Sequence, residues 1–118
     1  MKTFKNCAAQ GDLMIRRVET IPVIAEIIYP DVHGHYVCAH SETGHSHIIV
    51  AHPHVKLFST DDPLISYLEV VEATEETETL IEHLRSFDTH ESILVTPGIY
   101  EIRRQREYTP EGWRRVAD

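Results

Sequence analysis

Histidine carries most of the chemistry this chain could do, and it is unevenly placed. Seven of the nine histidines lie between His33 and His54, as His33-Gly34-His35, His40, His45-Ser46-His47 and His52-Pro53-His54. Neutral imidazole is a ligand for zinc, copper, iron or nickel, so the ligand type alone does not choose the metal. On a β-strand, residues i and i+2 share a face with Cα atoms about 6.5–7 Å apart, so a His-x-His pair can converge on one ion. A third ligand must then come from another strand, and an open position would hold water.

The element beneath each pair ranks them. His45 and His47 lead into Ile48-Ile49-Val50-Ala51, a largely β-branched apolar run, and Gly44 precedes them as a turn residue would. His33-Gly34-His35 follows Pro30-Asp31 and contains a glycine, which predicts a turn. His52-Pro53-His54 contains a proline, which cannot donate to a ladder, so it predicts a strand end or an edge. His45 and His47 are therefore the foremost metal-ligand candidates. The expected ion is a divalent transition metal, zinc first, with iron and nickel as alternatives. Two other readings stand beside this one: histidines on a solvated polar surface, and a pH-responsive cluster, since imidazole ordinarily titrates near pH ~6.5.

The elements that must position these residues read as strands. Leu13 to Val18 alternates, Leu13 and Ile15 against Met14 and Arg16. Val23 to Tyr29 is nearly continuous in apolar residues, which predicts a strand buried on both faces. Tyr36–Ala39, His45–Ala51, Val55–Phe58 and Leu64–Val71 follow, separated by Gly, Pro, Asp and Ser turns. Residues 74–87 carry a helical stripe (Leu80, Ile81, Leu84, Phe87) in competition with a strand over Thr79–Leu84, and the all-strand surroundings favour the strand. After Thr96-Pro97-Gly98, Ile99 to Arg106 alternates again, with Tyr100 and Ile102 on one face and Glu101 and Arg103 on the other. Thr109-Pro110 predicts an N-cap and first helical position, hence a short C-terminal helical turn carrying Trp113. The fold expectation is all-β: a small antiparallel barrel or sandwich with a helical turn at the end.

With 118 residues, one domain over 1–118 is expected. A net charge of −8 argues against nucleic-acid binding. Residues 69–91 hold eight acids against one base, Arg85, whereas Arg103, Arg104, Arg106, Arg114 and Arg115 crowd the end. Solvated surface is the expected reading of both, with contact to a protein partner as the alternative. Two cysteines, Cys7 and Cys38, and no apolar leader predict a cytoplasmic protein with reduced thiols. Cys38 reads as core, with metal ligation as the alternative. No apolar run reaches the ~20 residues of a membrane helix. Gly-rich phosphate loops, nucleophile elbows and Cys-x-x-Cys are absent.

Gln10-Gly11-Asp12-Leu13, Gly44-His45-Ser46-His47, Pro97-Gly98-Ile99-Tyr100 and the run from Arg103 to Pro110 together resemble a group of short bacterial and phage-encoded proteins of unknown function. The resemblance spans most of the chain and implies no activity. The chain is also similar, at the level of architecture, to cupins, β-barrels that hold a metal with a His-x-His pair and a later histidine. That similarity implies His45 and His47 as the pair and His90 as the third ligand, with Glu91 its rival. Two functions follow as expectations. One is a metal-binding β-barrel, whose bound water would be the nucleophile if a position stayed open, with Glu91 or Glu42 as proton acceptor. The other is a non-enzymatic accessory module that contacts a protein partner or a second copy of itself.

Overall fold

Alternating apolar residues separated by turn residues fold here into twelve short strands. The computed structural model describes residues 2–40, 46–72, 78–84, 91–104, 106–109 and 112–115. The strands are β1 (Cys7–Gln10), β2 (Leu13–Val18), β3 (Glu26–Ile28), β4 (His35–His40), β5 (Ser46–Val50) and β6 (Val55–Ser59). They continue with β7 (Ile65–Val70), β8 (Thr79–Leu84), β9 (Ile93–Val95), β10 (Gly98–Arg104), β11 (Arg106–Thr109) and β12 (Gly112–Arg115). Six make one sheet in the order β1-β2-β10-β7-β6-β3, and four make a second in the order β4-β5-β8-β9. β11 and β12 form a separate two-stranded ribbon. The ladders within all three are antiparallel, and an isolated parallel bridge ties Lys2 to Ile93.

The two larger sheets share one core. Leu13, Ile15, Leu57, Leu68, Tyr100 and Ile102 from the first meet Tyr36, Ile49, Ile81, Ile93 and Val95 from the second. Each buried aliphatic of this kind contributes roughly 1.5–3 kcal/mol. The pleat explains the selection: on β10, Tyr100 and Ile102 face in, while exposed Arg103 faces out, as the alternation predicts.

Three expectations need correction. Among the described residues the sheets stay open, so this is a two-layer arrangement and not a closed barrel. The expected C-terminal helical turn is instead a hairpin: Thr109 stands opposite Gly112 and Tyr108 opposite Trp113. A Thr-Pro-x-Gly stretch serves a reverse turn as well as a helix start, and the aromatic neighbours favour strands. The stretch from Val23 to Tyr29 is not a doubly buried strand. Its regular part is Glu26–Ile28, paired on one side with β6 at the end of the first sheet. Among the described residues, no helix is long and apolar enough to cross a membrane.

Candidate functional site

Among the described residues, a group of buried polar side chains sits between the sheets, and a tight turn puts two of them there. Gln10 pairs with Leu13, leaving Gly11 and Asp12 to close the β1–β2 hairpin. Gly11 has φ 58° while no non-glycine residue among those described has positive φ, the pattern of a II′ turn with glycine first. The turn delivers Gln10 and Asp12, both almost fully buried, to the core.

There they meet His47 of β5, which is completely buried. Its Nδ1 lies 2.8 Å from Gln10 Oε1, and its Nε2 lies 3.0 Å from Asp12 Oδ1. The Gln10 amide nitrogen donates to the carbonyls of Ile81 (3.0 Å) and Glu91 (2.9 Å). Its oxygen is thus the acceptor, and Nδ1 of His47 carries a proton. A second proton must lie between Nε2 and Oδ1. The other oxygen of Asp12 accepts from Arg104 Nε (3.2 Å) and Nη2 (3.0 Å), which keeps negative charge on the carboxylate. The geometry is that of an imidazolium–carboxylate–guanidinium chain, buried along its whole length. It joins β10 and the β1–β2 turn of the first sheet to β5 and β8 of the second.

The predicted site residues are therefore not brought together by the described part of the chain. His47 is in place on its strand, but a metal at its ring would have to displace Gln10 or Asp12. His45 and His90 lie outside the described residues, as does Glu42. Glu91 is exposed and contributes its backbone carbonyl to Gln10. His33 and His35 flank a turn in which Asp31 Oδ1 accepts their backbone N–H groups, and the His35 N–H above all holds that carboxyl below its usual range. His52 and His54 stack at 5.4 Å between centroids, and His54 Nε2 meets Thr79 Oγ1 at 3.1 Å. Among the described residues no group of three or more His, Cys, Asp or Glu side chains could hold a metal ion. Cys38 sits at the irregularity where β4 slips register against β5 and packs against the core; burial pushes its thiol up to about 12.

The arginines near the end are not a free basic surface at positions 103 and 104. Arg104 turns Nε and Nη2 to buried Asp12, and half-exposed Arg103 pairs with Glu101 on the outer face of the first sheet. Burial works against the Glu101 charge, but Arg103, Tyr67 and Arg16 outweigh it and hold the carboxyl below its usual range.

Sequence reasoning missed Gln10 and Asp12 as partners of His47 and Arg104 as the partner of Asp12, although each lies in a stretch that carries the resemblance. It also misread the surface. Val23 and Val32 are almost fully exposed, with Tyr29 at 78%, Ile24 at 70% and Ile27 at 45%. These are five of the seven large apolar side chains left exposed among the described residues.

An all-β protein of two facing antiparallel sheets, locked by a buried Gln-His-Asp-Arg chain, is the class that fold and site define. The chain matches the Domain of unknown function (DUF8820) over residues 9–105 and belongs to that family. No curated protein and no solved structure matches it. The match runs from β1 through β10 and ends before the β11–β12 ribbon.

Proposed function

We propose that this chain is a non-enzymatic interaction module that pairs with a second copy of itself along β3. The observation that carries this reading is the exposed apolar segment from Val23 to Val32, which runs through and flanks β3, a short strand that pairs with β6 on one side and, among the described residues, with nothing on the other. An uncovered edge with apolar side chains is a template for another strand.

Three arguments favour a second copy as the occupant. Antiparallel pairing centred on Ile27 sets Glu26 of one copy opposite Ile28 of the other, so the two carboxylates never meet. Glu26 is the one charged residue between Thr20 and Pro30, so this segment adds little like-charge repulsion in a chain of net charge −8. The five side chains expose on the order of 600 Å², near the ~800 Å² per partner of a standard interface.

Sedimentation equilibrium over a wide dilution series tests it. The expected result is a dimer that Ile24→Lys plus Ile27→Lys converts to a monomer with an unchanged far-ultraviolet spectrum. A wild-type monomer throughout, a dimer indifferent to the two lysines, or a different protein seated on β3 in place of a second copy would each overturn the reading.

A further inference from the structure

A cavity of about 320 Å³ opens beside the buried polar chain. Its wall includes Ile28 of β3, Cys38 of β4, Thr60 and Asp62 of the β6–β7 connection, Ser66 of β7 and Arg104 of β10. The guanidinium is the unusual member. Its side chain is only 6% exposed, yet both of its bonds go to a single oxygen of Asp12, through Nε and Nη2. Among the described residues Nη1 has no hydrogen-bond partner. A buried cationic donor left over in a cavity wall asks for an acceptor from whatever enters.

We propose that this cavity binds a small organic carboxylate. Arg104 Nη1 would take the carboxylate, since a guanidinium edge matches a planar anion better than any other side chain does. The hydroxyl of Ser66 supplies a further donor, and Ile28 supplies apolar wall for the body of the ligand. Thr60 Oγ1 is committed within its own turn, sharing its one proton between the Asp62 and Ile65 carbonyls at 3.1 and 3.0 Å and accepting from the Asp62 N–H at 3.2 Å, so it lines the cavity without a donor to offer. Asp62, the one acid in the wall, has its Oδ1 engaged by the Leu64 N–H at 2.9 Å, and its charge sets the end of the cavity that the carboxylate avoids. The volume falls at the lower limit of small-molecule sites, which restricts the ligand to a compact monocarboxylate.

Titration of the full-length chain with benzoate, and separately with benzyl alcohol, followed by amide NMR shifts and calorimetry, tests the proposal. Benzoate should bind saturably and shift residues 28, 38, 60, 66 and 104. Benzyl alcohol, of the same size without the charge, should bind at least tenfold more weakly. Ser66→Leu, which fills the cavity without touching the Arg104–Asp12 pair, should abolish the benzoate shifts. Equal binding of the alcohol, shifts confined to the histidine turns at 33–35 and 52–54, or no saturable shift at all would overturn it. If Ser66→Leu does not fold, the benzoate and benzyl alcohol comparison on the wild type decides. Ile28 belongs to β3, so binding is judged from the shifts at 38, 60, 66 and 104, which lie off that strand, and is read separately from the dimer measurement.

Discussion

His47 shows what a buried side chain with two ring nitrogens can do when both are used. Removing it takes the proton from the Gln10 amide oxygen and from one oxygen of Asp12, whose other oxygen keeps Arg104, in a place water does not reach. Breaking a buried charged pair of this kind costs about 3 kcal/mol or more. His47→Ala should therefore lower the melting temperature by roughly 10 °C in a domain of this size, whereas added chelator should leave the wild-type melting temperature where it was. A metal-centred role for the same ring predicts the opposite response to chelator, and calorimetric scans with and without EDTA separate the two.

Glu101 gives a second test at the same scale. Its folded carboxyl lies below the ordinary value of 4.5, so its contribution to stability is complete above that pH and is lost as pH falls through the folded value. The stability gap between wild type and Glu101→Gln should be constant above pH 4.5 and close below it, as followed by urea midpoints across the acid range. How the residue types were legible differs sharply between these two groups. The inward pull on His47 followed from its place before an apolar strand. Its partners Asp12 and Gln10 stand 35 and 37 residues away, and Arg104 stands 92 from Asp12; no local spacing announces contacts of that reach.

At the scale of elements, the turn at Gly11 positions two members of the polar chain, and its φ of 58° is one that a side chain resists. Gly11→Ala should cost about 1–2 kcal/mol. Gly34 at φ 74°, where a Cβ would meet nothing within 4 Å, offers the comparison of backbone strain alone. Urea denaturation of both variants checks this, and the Gly11 variant should lose more if the turn also holds Gln10 and Asp12 in place. Alternation makes β2 readable at Leu13–Val18, whereas β8 at Thr79–Leu84 carries a helical stripe and is favoured as strand only by its all-strand surroundings. β9, with three residues, is too short to show a period. The run around β3 was misplaced for a deeper reason. An apolar stretch looks the same in sequence whether its cover is the chain's own core or another molecule.

For the molecule as a whole, the order of strands in the first sheet has a temporal side. β10 lies between β2 and β7, and the ion pair from Arg16 to Glu101 closes a separation of 85 residues. During synthesis at about 5–20 residues per second, the first hairpin would emerge many seconds before the strand that completes it. Until then its flank is bare, and such non-local pairing is slow to form even in the finished polypeptide. The half-built sheet is exposed until β10 arrives, and the yield of native chains should depend on how quickly translation reaches Gly98–Arg104.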